Sequence, residues 1–324
     1  MKYWMSGLLL VAAAIPASGQ SQSPPPGEYP SHAIRIMVAT PAGGGVDAIT
    51  RVVAEKLRQR WGQNVVVENR TGAGGTTAAE MLSRAAPDGY TLYTTHPGPL
   101  AAAAIYKKLG YDPLALQPIA IMAVAPMVIA AKKASPLNSV SGLVEYAKAN
   151  PGKLNFATSG AGTISHLTIE LLKQRTGIQI NIVPYRGSAP AVNDLAGGQV
   201  DGMAVDVGTV MPIVESGRAK VIGAATPGRL PMLPQTPTVI EQGVPDFVTT
   251  TWYALVAPPG TPRPIADKLN AAVLEALQSR EAEPQMKALM VKPLPFGVSE
   301  TQQYIRSDAK LWTKLINDVG IKLD

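Results

Sequence analysis

The sequence predicts an α/β protein of two lobes, each a mainly parallel sheet flanked by helices. Three observations predict it. Apolar strand-like runs alternate with helical patterns along the chain, and the runs lack the strict polar alternation of a half-solvated strand, as expected of parallel strands covered on both faces. The pattern stops near residue 123 and begins again near residue 127. Each half also contains a β-branched or apolar strand that runs through a glycine-rich turn into a helix: Ile34 to Thr40, then Pro41-Ala42-Gly43-Gly44-Gly45-Val46-Asp47; and Leu154 to Thr158, then Ser159-Gly160-Ala161-Gly162-Thr163.

In order, strands are expected at 34–40, 64–69, 91–95 and 119–123, then at 127–132, 154–158, 180–185, 202–205 and 221–226, with helices between them, including 48–60 and 166–175. The run at 250–257 is followed by a Pro/Gly stop, Pro258-Pro259-Gly260-Thr261-Pro262. Helices near 265–279 and 281–290, an extended piece at 292–296 and a last helix at 300–319 complete the chain, with Ser299 as the expected N-cap. This tail has too little strand to stand alone and is expected on the first lobe. Residues 29–124 plus 253–324 then form lobe 1 and residues 125–252 lobe 2. The chain would cross twice, near 123–127 and 250–252, which makes a hinge and suggests closure around a ligand.

At 324 residues the chain is long enough for two cores, and its composition, 46% hydrophobic and 16% charged, is that of a globular protein. The net charge of +6 comes without any Lys/Arg block interleaved with aromatics, which argues against nucleic acid. Met1-Lys2-Tyr3-Trp4, the apolar 8–15 and Ala17-Ser18-Gly19 have the three-part layout of a secretory signal, cleaved near Gly19 and too short to span a bilayer. Residues 20–28 read as a Ser/Pro-rich tether. The absence of cysteine excludes disulfides, thiolate metal sites, cysteine nucleophiles and a lipid-modified cysteine. An exported chain of this kind fits a soluble bacterial periplasm.

A strand, glycine turn and helix N-terminus together aim unpaired N–H groups and a helix dipole at one point, which favours an anion. Two such turns, one per lobe, suggest two domains sharing one anionic ligand. The first lacks the Gly-Lys-Ser/Thr ending of a phosphate loop, and bare amides suit a carboxylate. The second, Gly160-Ala161-Gly162-Thr163-Ile164-Ser165, is near a dinucleotide fingerprint, but the next strand, Ile180 to Arg186, carries no Asp or Glu for a ribose. The turn Thr71-Gly72-Ala73-Gly74-Gly75-Thr76 would touch ligand or serve tight strand–helix packing, the latter being the preferred reason for its glycines.

Other candidates flank these turns. Asp47 would cap its helix or touch ligand. Thr95 and His96 end the third strand, at the edge where such sheets bind ligands. His166 would donate to an anion or pack. Arg186 would pair with a carboxylate. Asp206 would select a ligand hydroxyl or amine, or orient waters. Trp252, at the second crossing, would close over the ligand or sit in the core. No His/carboxylate set has metal-ligand spacing, no serine lies in a G-x-S-x-G elbow, and no catalytic constellation is found, so no cofactor or metal is expected.

Together these residues resemble the Bug family, the extracytoplasmic solute receptors of tripartite tricarboxylate transporters, from about Tyr29 to Asp324. The resemblance rests on the first glycine turn, on Val67-Glu68-Asn69-Arg70-Thr71-Gly72-Ala73-Gly74-Gly75, on Ala86-Pro87-Asp88-Gly89-Tyr90-Thr91-Leu92, on Val183-Pro184-Tyr185-Arg186-Gly187-Ser188-Ala189-Pro190-Ala191, on Asp194-Leu195-Ala196-Gly197-Gly198-Gln199-Val200-Asp201, and on the ending Gly320-Ile321-Lys322-Leu323-Asp324. It implies a type II-like periplasmic binding fold that closes on a small organic carboxylate, held by loop backbone and waters, and that works with membrane transporter subunits as a monomer. The loops so implied are Ala42, Gly43, Gly44 and Gly45, and Thr158, Ser159, Gly160, Ala161, Gly162 and Thr163. The chain departs from the family at Ala161, often Asn, and at His96-Pro97-Gly98-Pro99, commonly Asn- or Ser-bearing. A carboxylate sensor feeding a signalling system would share the same lobes and pocket, and an enzyme would need a converging catalytic set that the sequence lacks.

Overall fold

The computed structural model describes residues 29–105 and 109–320. The expected signal and tether, and the last four residues of the family-like ending, lie outside that range. In the first part of the chain β1 (Ile34–Val38), α1 (Gly45–Trp61), β2 (Val65–Asn69), α2 (Thr76–Ser83), β3 (Thr91–Thr95) and α3 (Pro97–Ile105) lead into β4 (Gln117–Lys132). Next come α4 (Val140–Ala149), β5 (Asn155–Thr158), α5 (Ile164–Thr176), β6 (Asn181–Pro184), α6 (Ser188–Ala196), β7 (Gly202–Asp206), α7 (Val207–Glu215) and β8 (Ala219–Ala224). The chain returns in β9 (Thr250–Ala257) and ends in α8 (Arg263–Gln278), α9 (Glu283–Ala288) and α10 (Val298–Val319).

Among the described residues all nine strands join one sheet in the order β2-β1-β3-β9-β4-β7-β5-β6, with β8 also on β4. The outer pairs β1–β2, β1–β3, β5–β6 and β5–β7 are parallel, as βαβ connections require. The pairs around β4 and β9 are antiparallel, because the chain passes between the two halves once in each direction. The sequence suggests two strands and a break at 123–127. The structure has a single 16-residue strand instead. Pro126 is tolerated because the ladder changes partner there: β4 pairs with β9 as far as Pro126 opposite Thr250, then with β7 from Met127 opposite Asp206. The stretch expected to be extended at 292–296 meets the sheet through the bridge of Lys292 to Val124 and the Leu294 N–H, which donates to the Ile121 carbonyl at 3.4 Å.

One core cluster gathers Ile36, Ile49, Leu92, Leu255 and Leu269, and another Ile129, Leu143, Phe156, Leu167 and Phe247. Burying each such side chain contributes about 1.5–3 kcal/mol. Helix α10 serves both halves: Ile305 and Ala309 pack with Trp252, whereas Trp312 and Ile316 belong to the cluster around Phe156. Its start differs from expectation. Gly297, not Ser299, is the N-cap; its N–H donates to Glu300 Oε2 at 2.9 Å, and Ser299 accepts instead from Arg263 Nη1 at 3.1 Å. Glu300 reaches back to that N–H from the third helical position, which fixes the earlier start.

Candidate functional site

The two glycine turns are built alike. In the first, Gly43 adopts φ +90° and its N–H donates to Asp47 Oδ2, four residues on, at 3.1 Å. Asn69 Nδ2 donates to Asp47 Oδ1 at 2.9 Å and to the Thr40 carbonyl at 2.8 Å, and Arg51 Nε donates to Oδ2 at 3.0 Å. Burial pushes the Asp47 carboxyl up, but these donors outweigh it and hold its pKa below the ordinary value. In the second turn Gly162 adopts φ +74° and donates to His166 Nδ1, again four residues on, at 2.9 Å. Thr163 caps α5, accepting from the His166 N–H and donating to the Gly160 carbonyl at 2.8 Å.

The N–H groups of Gly43 and Gly162 are therefore tied back into their own turns. The helical bonds begin at Ala48 to Gly44 and Leu167 to Thr163, so the N–H groups of Val46, Ile164 and Ser165 have no intrahelical partner. These three residues line a chamber of about 50 Å³ between the two halves of the sheet, together with Thr40, His96, Asp206 and Tyr253. A second chamber of about 170 Å³ adjoins it, sharing Thr40, His96, Ser159 and Thr163, and is lined by the turn 72–75, Gly160, Ala161 and Arg186. The halves meet at its rim: a Cβ on Gly187 would stand 2.5 Å from Pro41 Cδ, and one on Gly74 2.7 Å from the Ala161 carbonyl. The third glycine turn thus faces the cleft as well as packing on its helix.

His96 is buried, and its Nδ1 accepts from the Gly98 N–H at 3.1 Å, which leaves the proton on Nε2. Burial lowers its pKa to about 4, so the ring is a neutral donor at ordinary pH. Asp206 caps α7, with Oδ1 accepting from the Thr209 N–H at 2.9 Å, and it also bonds the Tyr253 hydroxyl. Burial raises the Asp206 pKa more than these bonds lower it; burial and the neighbouring carboxylate likewise push the Tyr253 hydroxyl well up. The Thr40 hydroxyl is buried without a hydrogen-bond partner among the described residues. Asp206 and exposed Arg186 are the only charged residues lining either chamber among the described residues, and there no three His, Cys, Asp or Glu side chains gather as a metal would require.

Of the residues singled out from the sequence, His96, Ser159, Gly160, Ala161, Thr163, Arg186 and Asp206 line the chambers. Ala42, Gly43, Gly44, Gly45 and Gly162 shape the turns without lining either chamber; a Cβ on Gly45 would stand 3.0 Å from the Tyr253 hydroxyl. Asp47 and His166 are consumed in holding the turns. Thr158 is fully buried, and Thr95 faces away, its hydroxyl on the His96 carbonyl. Trp252 does not close over the cleft: strand alternation turns it toward α10, where Nε1 donates to Asp308 Oδ2 at 2.7 Å, and presents Tyr253 to the chamber instead. Thr40, Val46, Ser165 and Tyr253 were not singled out. The period of two along β9 would have found Tyr253 once Trp252 was known to be core.

With this geometry in hand, the sequence profile of the tripartite tricarboxylate transporter family receptor (TctC) matches residues 49–321. The chain belongs to that family. It is 34% identical over 320 residues to Protein BugT of Bordetella pertussis, covering 98% of this chain and 97% of the relative. The structure of the periplasmic binding protein BugD superposes with a TM-score of 0.85 at 36% identity, covering 91% of this chain and all of that one (100%). Two further solved relatives hold acids: Rpa4515 of R. palustris with adipate (TM-score 0.87, 32% identity, 91% of this chain and 100% of that chain) and MatC of Rhodopseudomonas palustris with malate (0.85, 32%, 89% and 100%). The protein is accordingly a solute-binding receptor of the Bug type, with the periplasmic binding fold.

Proposed function

We propose that this receptor works in the periplasm, captures a small organic carboxylate in the chambers between its two halves, and delivers it to a tripartite tricarboxylate-type membrane transporter. The observation that carries the reading is the convergence of two helix N-termini, at Val46 and at Ile164 and Ser165, on one chamber whose lining includes a neutral imidazole donor. Unpaired N–H groups and two dipole ends stabilise a carboxylate there without a cation. The adipate and malate held by relatives of about one-third identity support the same ligand class. In this reading residues 29–124 plus 253–324 and residues 125–252 act as the lobes that close, residues 1–19 direct export, and the receptor docks as a monomer.

Ligand binding to the folded form alone raises thermal stability by RT ln(1 + [L]/Kd), about 2.7 kcal/mol at a hundredfold excess over Kd. A melting screen over di- and tricarboxylates, aromatic acids and acidic amino acids should therefore return at least one clear upward shift. A shift from a non-acidic solute, with none from any acid, would refute the anion site. Delivery is tested by uptake of the identified acid in a strain lacking this receptor, where transport should fall; unchanged uptake with lost gene induction would point to sensing instead.

A further inference from the structure

The two halves touch across the outer chamber at two reciprocal points, each a glycine of one half against a fixed atom of the other. A Cβ on Gly74 would stand 2.7 Å from the Ala161 carbonyl oxygen, and one on Gly187 2.5 Å from Pro41 Cδ, both well inside van der Waals contact. Chain neighbours aside, the first would meet only Ala161 within 4 Å among the described residues, and the three atoms nearest the second all belong to Pro41. Nearby glycines differ: a Cβ on Gly72 would meet Thr77, and one on Gly75 would meet Pro99, Tyr93 and Ala39, all in the same half. Neither obstacle can step aside. Pro41 Cδ is part of a ring closed on the backbone nitrogen. The Ala161 carbonyl belongs to a turn whose next residue, Gly162, is tied to His166 at 2.9 Å. Gly74, Ala161 and Gly187 all line the outer chamber. A further glycine contact between the halves, Gly208 against Leu289, lines neither chamber and sits on the segment that leads to the bridge of Lys292 to Val124.

Resting on the reading above, in which the halves close on a carboxylate, we propose that Gly74 and Gly187 are positioning residues for the anion site: by carrying no side chain they let the halves meet over the outer chamber, and an alanine at either holds the cleft ajar. The site needs that meeting because its donors are divided. The Val46 N–H comes from one half and those of Ile164 and Ser165 from the other, so both helix N-termini serve one carboxylate only when the halves are together. Held ajar, each half still presents its own donors, but a solute bound to one faces water on its other side. Capture then continues and retention fails, with association unchanged and dissociation faster. The two obstacles differ in kind. The Pro41 ring is a side chain and can be removed; its backbone nitrogen would remain 3.8 Å from the new Cβ, an ordinary contact. The Ala161 oxygen is backbone, and no substitution removes it.

The test is calorimetric titration of the full mature chain with succinate, malate, adipate, citrate, phenylacetate and aspartate, then small-angle X-ray scattering at saturation with whichever of them binds. Backbone strain needs a control, since both glycines have positive φ. Gly177→Ala supplies it: φ 71° and ψ 14° there lie in the same left-handed well as φ 61° and ψ 19° at Gly74, and a Cβ would meet nothing within 4 Å. Gly177→Ala should bind as the native chain does. Gly74→Ala should bind at least about tenfold more weakly, and its radius of gyration at saturation should stay above the native value. Gly187→Ala should weaken binding comparably, and adding Pro41→Ala should restore it to within about threefold of Pro41→Ala alone. Binding by Gly74→Ala within about threefold of native overturns the inference while leaving the carboxylate reading intact. So does a Gly187→Ala loss that Pro41→Ala fails to relieve, which would place the effect in the strained start of α6. Silence of the native chain toward every acid overturns the carboxylate reading and the inference with it.

Discussion

The two glycine turns share a backbone plan and differ in the chemistry that holds it. By position relative to the helix start, Gly43 corresponds to Gly162, the N-cap Gly44 to the N-cap Thr163, and Asp47 to His166. In both, a left-handed glycine hands its N–H to a side chain one helical turn ahead. The first acceptor is an ionised carboxylate tied also to Asn69 and Arg51, on a helix whose cap, Gly44, contributes no side chain. The second is an imidazole, backed by a threonine cap. The Gly98 N–H also goes to an imidazole, but backwards, to His96 two residues earlier. The geometry is what the site requires, since it fixes where the helix N-termini point. The identity of the acceptor is free to vary, and with it the response to pH and mutation.

Removing the acceptors breaks the comparison most directly. Asp47→Ala withdraws a partner from Gly43, Asn69 and Arg51 together and should cost about 3 kcal/mol, of which the half-exposed Arg51 contributes little. Urea unfolding should show a lower midpoint at unchanged slope; a loss under about 1 kcal/mol would mean that the turn holds itself.

The pH responses should separate by window. The folded Asp47 carboxyl lies below its unfolded value near 4, so its contribution is intact above that pH and is lost as pH falls through the lower folded value. His96 is lowered from 6.5 to about 4, so between these values the unfolded chain takes up a proton that the folded one refuses, and this ring alone removes about 3 kcal/mol as pH falls across the window. Subtracting the stability profile of His96→Asn from that of the native chain should expose this slope between pH 6.5 and 4. A flat difference would sink the neutral-donor assignment.

His166→Phe keeps the volume but leaves the Gly162 N–H unsatisfied beneath the surface, for about 2 kcal/mol, measured by the same titration. Thr163→Val removes the cap and the hydroxyl's bond to the Gly160 carbonyl and should cost about 1 kcal/mol. If Thr163→Val exceeded His166→Phe, the cap and not the imidazole would be the main fastener of the second turn.

Much of this was legible in the sequence. The β1 and β5 turns, the restart of the strand–helix pattern, and the positions of His96, Ser159, Arg186 and Asp206 at strand ends all follow from local patterns that survive in isolation. What was not legible depended on direction and partner. Trp252 and Tyr253 are adjacent, and only the docking of α10, through Asp308, decides which faces the chambers. Pro126 reads as a break because a lone strand cannot show that its ladder changes partner at that residue. Asp47 and His166 read as either ligand groups or structural ones because the sequence marks their place beside a glycine turn but not the N–H that each accepts.

The unbroken strand β4 has one last consequence. With β9 alongside, it joins the halves as a two-stranded ribbon, and Met127, Thr251 and Tyr253 on that ribbon are also walls of the inner chamber. A ribbon yields by twisting about its own axis, and displacement grows with the lever arm from that axis. The rim contacts, Pro41 on Gly187 and Gly74 on Ala161, lie off the ribbon, whereas Tyr253 at the floor is part of it. In the closure proposed above, a guest would meet the floor before the rim shuts, and on leaving would part from the floor last.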